Sequence, residues 1–154
     1  MLMKNFKINV LIIIYCLFFT NVFSKDIPII VIAPSKKPQS ASTVGTSVTV
    51  YTEEEIEKSG ESFLHNILNY GSPGISAYQS GGAGTQSGVQ VRNLPKRYTT
   101  IYIDGVKMSD PSTVSNDYYF DDLLKSSISR IEILRGNQSS VYGSGAMGGT
   151  VNIT

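Results

Sequence analysis

The chain is short of the residues that most often carry catalysis or metal binding. Its 154 residues include one cysteine, Cys16, one histidine, His65, and no tryptophan. Cys16 lies in an apolar run near the start, so a processed chain is expected to have no thiol, which excludes a cysteine nucleophile, a redox pair and a thiolate metal site. A lone histidine without a neighbouring ligand or nucleophile supports neither a metal centre nor an acid–base pair. We therefore expect a protein that is not an enzyme and has no bound metal.

The chain also lacks an excess of charge of either sign. Its formal net charge is +1, and acidic and basic residues nearly balance once Lys4 and Lys7 are set aside. Nucleic-acid binding depends on a concentrated basic surface. We therefore expect no nucleic-acid partner.

The first 24 residues have the pattern of a secretory signal peptide. Lys4 and Lys7 precede an apolar run at 10–19, and the small residue Ser24 stands where a signal peptidase would cut. A membrane span needs about 20 apolar residues, and this run is about half as long. The pattern predicts a signal peptide at 1–24 and an exported protein.

Residues 25–42 predict a short apolar strand followed by a flexible linker. The apolar stretch 29–33 lacks polar alternation, lies between Pro28 and Pro34, and precedes a segment rich in Ser, Lys and Pro. Such a strand suits pairing with the sheet edge of another protein. The alternative is a first core or edge strand of the folded domain.

The folded domain is expected at 43–154, with an α+β architecture. Alternation predicts a strand at 47–51, and Thr52 with Glu55 has the spacing of a capping box that opens a short helix ending near Lys58. A second helix has its apolar face on residues 63, 64, 67 and 68 and ends at Gly71, and His65 is predicted to lie off that face. Further strands are predicted at 75–78, 89–92 and 100–103, with Asp104–Gly105 as a hairpin turn. We expect a small mixed sheet of about four strands, two short helices and exposed Gly-rich or polar loops at 79–88 and 108–119.

The closing segment carries the most specific pattern. Ile131 and Ile133, then Val151 and Ile153, alternate with polar residues, and a Gly/Ser-rich connection joins these two strands. RIEILRG followed by SxxYGxxAxGGxxNI resembles the end of the plug domain of TonB-dependent outer-membrane receptors. The resemblance extends over about 29–154 and is nearest to the vitamin B12 receptor branch. In that family a transmembrane β-barrel follows, and this sequence contains none.

The resemblance implies a gate that opens for the uptake of a scarce nutrient. It assigns a TonB-binding segment, the TonB box, to the amino-terminal strand, and a lock against glutamates of the barrel wall to Arg92 and Arg135. The C-terminal domain of TonB, the barrel and a small-molecule substrate are the implied partners. Location is the outer membrane for an intact receptor and the periplasm for a free plug. The TonB-binding residues are Ile29, Ile30, Val31, Ile32 and Ala33, and the substrate-loop residues are Gln79, Ser80, Gly82, Thr85, Gln86, Ser109, Asp110, Asn116 and Tyr118.

Three alternatives stay open on sequence alone. The Gly-rich loop at 80–88 resembles that of vitamin B12 receptors, so cobalamin is the expected substrate and a siderophore is the alternative. A small periplasmic binding or interaction module without TonB coupling is the rival class. No cofactor is expected, although Ca²⁺ at the aspartate-rich loop after Met108 is a further alternative.

Overall fold

A computed structural model describes residues 30–31, 36–82, 84–120 and 123–154 of the chain. The predicted signal peptide at 1–24 lies outside the described residues. Three of the predicted TonB-binding residues, Ile29, Ile32 and Ala33, also lie outside them. For Ile30 and Val31 the backbone is described.

Nine strands and three α-helices make up the described part. The strands are β1 Ile30–Val31, β2 Gln39–Ser40, β3 Ser47–Thr52, β4 Ile75–Gln79, β5 Ser87–Val91, β6 Thr99–Ile103, β7 Val106–Met108, β8 Arg130–Arg135 and β9 Gly149–Ile153. The α-helices are α1 Glu53–Lys58, α2 Leu64–Gly71 and the single turn α3 Ser139–Tyr142. Turns of 3₁₀-helix occupy Ala41–Thr43, Lys96–Tyr98 and Lys125–Ser127.

The central sheet has five strands in the order β3-β8-β9-β6-β7. β6 and β9 pair in parallel, with Ile101 opposite Val151, and the other three pairings are antiparallel. The predicted small mixed sheet is therefore confirmed, with one strand more than expected. The additional strand is β7, formed where the Asp104–Gly105 turn returns the chain against β6, because both turn residues adopt positive φ (48° and 80°).

One face of the sheet packs against α1 and α2 and forms the core. The alternating residues Ile101, Ile131, Ile133, Val151 and Ile153 are all at most 5% exposed and belong to one apolar cluster. Since side chains alternate across a strand, the alternating pattern of each strand places these side chains on one face of the sheet. The same cluster receives Ile56 from α1 and Leu64, Ile67 and Leu68 from α2.

Both predicted helices form where their sequence signals place them. The backbone N–H of Thr52 donates to Glu55 (2.9 Å), and the N–H of Glu55 donates to the hydroxyl of Thr52 (3.4 Å), which completes the capping box. α2 ends at Gly71, as predicted. His65, predicted to lie off the apolar face, is nevertheless 5% exposed and stacks on Phe63 with ring centroids 5.7 Å apart, because burial on α2 extends beyond its apolar face.

Two small antiparallel sheets stand apart from the central one. β4 pairs with β5, and β1 pairs with β2, with Ile30 opposite Ser40 and Val31 opposite Gln39. β1 is thus no strand of the five-stranded sheet. Within the described part of the chain, no helix is both long and apolar enough to cross a membrane.

Candidate functional site

Arg135 ends β8 as a buried cation surrounded by hydroxyl groups. Its residue exposure is 9%. One terminal nitrogen donates to Thr49 Oγ1 (2.6 Å) and Ser72 Oγ (2.9 Å), and the other donates to Ser47 Oγ (3.3 Å). Its Nε is buried without a hydrogen-bond partner, and among the described residues no carboxylate forms an ion pair with it. The side chain is therefore held by neutral partners and lacks a counter-charge.

Arg92 lies near the same point. It follows β5, and its Nη1 stands 3.1 Å from where a Cβ on Gly136 would lie, next to Arg135 in the chain. Burial lowers the pKa of Arg135; Tyr51 raises it, and the nearby positive charge of Arg92 lowers it further. The structure thus brings the two predicted lock residues together as a pair of cations.

The backbone after Arg92 makes a turn that requires an uncommon conformation. Asn93 has a φ of 61°, in the left-handed region. Asn tolerates this conformation better than most residues, although glycine adopts it at lower cost. Asn93 therefore preserves the turn that glycine would make.

The first predicted substrate loop is a compact turn between β4 and β5. Gln79 Nε2 donates to the carbonyl of Gly82 (2.6 Å), as does the Thr85 hydroxyl (2.8 Å). The N–H of Ser80 donates to the carbonyl of Gln86 (2.9 Å) and closes the loop. All five predicted substrate-loop residues of this turn therefore bond within it, by side chain or backbone, and Gln86 also lines a cleft shared with the second loop.

The second predicted loop separates two open clefts. Gln86 from the first loop and Asp110 line a cleft of about 520 Å³ together with Ser112, Thr113, Val114, Ser115, Asp117 and Tyr119. Ser109, Asn116 and Tyr118 line the other, of about 560 Å³, which also borders Arg97, Lys107 and the amino end of β6. The two loops predicted from sequence thus meet at one end of the molecule and offer polar concave surfaces there.

Sequence reasoning missed the residue that fixes this second loop. Lys96 Nζ donates to Tyr119 Oη (2.7 Å), lies 4.0 Å from the centroid of that ring, and pairs with Asp117 (3.3 Å). Burial acts to lower the pKa of Lys96, but the bonds to Tyr119 and Asp117 raise it overall. The contact spans more than twenty positions in the sequence, so no local pattern signals it.

The aspartates of this region are engaged in the loop itself. Asp110 Oδ1 accepts from the N–H of Ser112 (2.9 Å). The side chain of Ser112 and this N–H together lower the pKa of the Asp110 carboxyl group, and Asp117 is paired with Lys96. In the described ranges, no three residues of the His, Cys, Asp and Glu types are grouped so that they could hold a metal ion. Asp121 and Asp122 lie outside those ranges.

The chain is similar in sequence and in fold to known proteins. Residues 40–150 match the family model of the TonB-dependent receptor plug domain. The ferric yersiniabactin uptake receptor FyuA of Yersinia pestis is similar at 28% identity and a TM-score of 0.52, over 75% of this chain and 18% of that one. The siderophore receptor PirA of Acinetobacter baumannii is similar at 25% identity and 0.52, over 69% and 16%.

A third structure supports the fold alone. The alcaligin outer-membrane receptor FauA of Bordetella pertussis matches at 23% identity with a TM-score of 0.62, over 80% of this chain and 20% of that one. The chain therefore spans about a fifth of the length of these structures. The family match over 40–150, together with the mixed sheet closed by β8 and β9, shows that the chain belongs to the TonB-dependent receptor plug domain family.

Proposed function

We propose that this chain is the gate of an outer-membrane receptor that imports a ferric siderophore by TonB-dependent transport. The observation that carries the proposal is the plug-family match over 40–150. The substrate class is supported by similarity at 25% or more to receptors that are named for siderophore uptake. The expectation of cobalamin receives no support from these relatives, and the siderophore alternative fits them better.

The geometry of the loops supports a ligand surface at one end of the gate. The second loop borders the cleft at the amino end of β6, and both loops border the neighbouring cleft. Arg97 and Lys107 supply positive charge to the larger cleft, and hydroxyl and amide groups supply hydrogen bonds. A ferric complex with acidic iron-binding groups is a suitable ligand for such a surface.

A binding experiment tests the substrate class. Purified full-length chain is titrated with ferric catecholate and ferric hydroxamate siderophores, their iron-free forms and cyanocobalamin, and binding is followed by calorimetry. We expect saturable binding of at least one ferric siderophore and none of cyanocobalamin. Asn116→Ala should weaken binding, whereas Ser126→Ala, an exposed change near the other end of the sheet, should not. Binding of cyanocobalamin alone would overturn the substrate class and leave the gate assignment in place.

We further propose that Arg92 and Arg135 lock the gate to carboxylates of the receptor barrel. The support is the buried guanidinium of Arg135, which has hydroxyl partners and a spare Nε but no carboxylate among the described residues. Arg is suited to fixed pairing with carboxylates in poorly solvated places. Co-purification with a siderophore-receptor barrel that lacks its own plug should fall with Arg135→Gln and not with Lys58→Gln on exposed α1. Equal recovery of both variants would contradict the lock.

The TonB-binding role of 29–33 stays a proposal as well. Its support is that β1 pairs only with β2 in a small separate sheet and is not part of the central sheet within the described residues. In a Cys16→Ala background, Ile30→Cys should crosslink to a cysteine variant of the TonB C-terminal domain, and Ser126→Cys should not. Crosslinking at neither position in membranes would favour a module without TonB coupling.

A further inference from the structure

The linker before β3 reaches a pair of buried tyrosine rings. Lys36 Nζ lies 5.1 Å from the ring centroid of Tyr142 and 5.7 Å from that of Tyr102. The two rings meet edge to face, with centroids 4.9 Å apart. Tyr142 and Tyr102 are 6% and 8% exposed. An ammonium group within about 6 Å of an aromatic centroid is attracted by the face of the ring, and here one ammonium contacts two rings.

These rings belong to the second face of the sheet, opposite the main core. Tyr102 lies on β6 and Tyr142 on α3, and together with Ala146 they form a small apolar cluster. Lys36 lines a cleft of about 420 Å³ beside this cluster, at the carboxyl ends of β6 and β9. Since both rings are fixed by packing, they provide a rigid partner for a lysine from an otherwise exposed segment.

The backbone of Lys36 has an unfavourable conformation. Its φ is 56°, in the left-handed region, which is unfavourable for any residue with a Cβ. Such a conformation persists where surrounding contacts compensate for it. The contact with Tyr102 and Tyr142 is the compensating interaction that the structure provides.

The linker is attached again at its other end. Gln138 Nε2 donates to Thr46 Oγ1 (3.3 Å) just before β3. Between the two attachments, β2 (Gln39–Ser40) pairs with β1. Local hydrogen bonds follow it: Thr43 Oγ1 donates to the carbonyl of Ser40, and the N–H of Val44 donates to the carbonyl of Ala41. The segment 36–46 is therefore held at both ends, and between them it is paired with the short strand that precedes it.

We infer that Lys36 and the Tyr102–Tyr142 pair form a latch that fastens the linker 36–46 to the sheet. The folded unit then begins at residue 36, ahead of the expected boundary at 43. One consequence rests on the proposed function: when TonB pulls on the residues before Lys36, the force acts on the latch before it acts on β3. Opening the latch frees the eleven residues from Lys36 to Thr46, which span at most about 40 Å when fully extended, at roughly 3.5 Å per residue.

Two measurements on the full-length chain test the latch without TonB. In NMR spectra, ring currents should shift the Lys36 Cε protons upfield, and this shift should vanish in Tyr142→Leu and persist in Tyr142→Phe. In hydrogen–deuterium exchange, Lys36→Ala should raise the exchange rate of peptides from 36–46 by about 2- to 30-fold, the range expected for a cation–π contact. Lys36→Ala keeps the Cβ, so the backbone cost of the left-handed conformation is unchanged.

The controls make the result decisive. Lys36→Arg should preserve protection because it keeps the cation, and Lys37→Ala should preserve it because it leaves Lys36 and both tyrosine rings in place. Exchange in β8 and β9, measured in the same samples, reports whether each variant is folded. Unchanged exchange at 36–46 in Lys36→Ala, or an equal increase in Lys37→Ala, overturns the latch. Neither result bears on TonB binding, which the Ile30→Cys crosslink tests separately.

Discussion

Gly149 is the position where one added methyl group should damage the domain most. It begins β9 between β8 and β6, opposite Arg135 on one side and Thr99 on the other. A Cβ at Gly149 would overlap the carbonyl oxygen of Leu134 and stand 3.0 Å from Cγ1 of Val91. Because the obstacle is backbone in the middle of the sheet, no side-chain rotation can relieve the overlap.

The expected magnitude follows from this contact. Overpacking a well-packed interior costs about 1–3 kcal/mol, and an overlap with backbone places Gly149→Ala at about 3 kcal/mol. With a urea dependence of about 1.5 kcal/mol per molar, within the usual range for small proteins, the unfolding midpoint should fall by about 2 M. A loss of 3 kcal/mol is a change of about 150-fold in the folding equilibrium constant.

Gly45→Ala is the matched control. A Cβ at Gly45 meets nothing within 4 Å, and the residue does not have a left-handed φ. The same substitution there should leave the free energy of unfolding unchanged within about 0.5 kcal/mol. Urea unfolding is followed by far-ultraviolet circular dichroism and by tyrosine fluorescence, whose coincidence verifies a two-state transition. Equal midpoints for the two variants would refute the register of β8 and β9 described above.

Three further changes test separate parts of the structure. Thr52→Ala removes the capping box of α1 and should lower the free energy of unfolding by about 1 kcal/mol in the same urea assay. Burial raises the pKa of Tyr142 to about 12 from an ordinary value of 10.0, so its contribution to stability is complete below pH 10 and is lost as pH rises toward 12. The loss is up to about 3 kcal/mol. Tyr142→Phe should show a shallower fall of stability over that interval, and an identical profile would count against the burial of this hydroxyl. Lys96→Met leaves the carboxylate of Asp117 buried without its partner and should cost about 3 kcal/mol. Most of that loss should be recovered in the double variant with Asp117→Asn, and a purely additive double variant would show that the two residues do not interact.

The local elements could be predicted because their signals are local. The capping box lies within four residues, Gly71 ends α2, and Asp104–Gly105 turns the chain within two positions. Alternation at 131–133 and 151–153 fixed which residues face the core, because the side-chain period of a strand is two. These features depend on neighbours in sequence, so a pattern reports them directly.

The long-range contacts could not be predicted in this way. The burial of His65, the pair of Lys96 with Asp117 and the contact of Lys36 with two tyrosines all join residues that the pattern treats separately. In the structure, Arg92 lies near Arg135, and the two predicted substrate loops share a cleft. Their roles in locking and in ligand binding stay predictions.

The position of β9 determines when the domain can be completed. β9 is the last strand of the domain in sequence, yet it lies in the middle of the sheet and joins the β3–β8 pair to the β6–β7 hairpin. Until its residues leave the ribosome, the two halves have no common edge, and contacts between segments so distant in sequence form slowly. The central sheet of a nascent chain should therefore be completed only after its last strand has been synthesised.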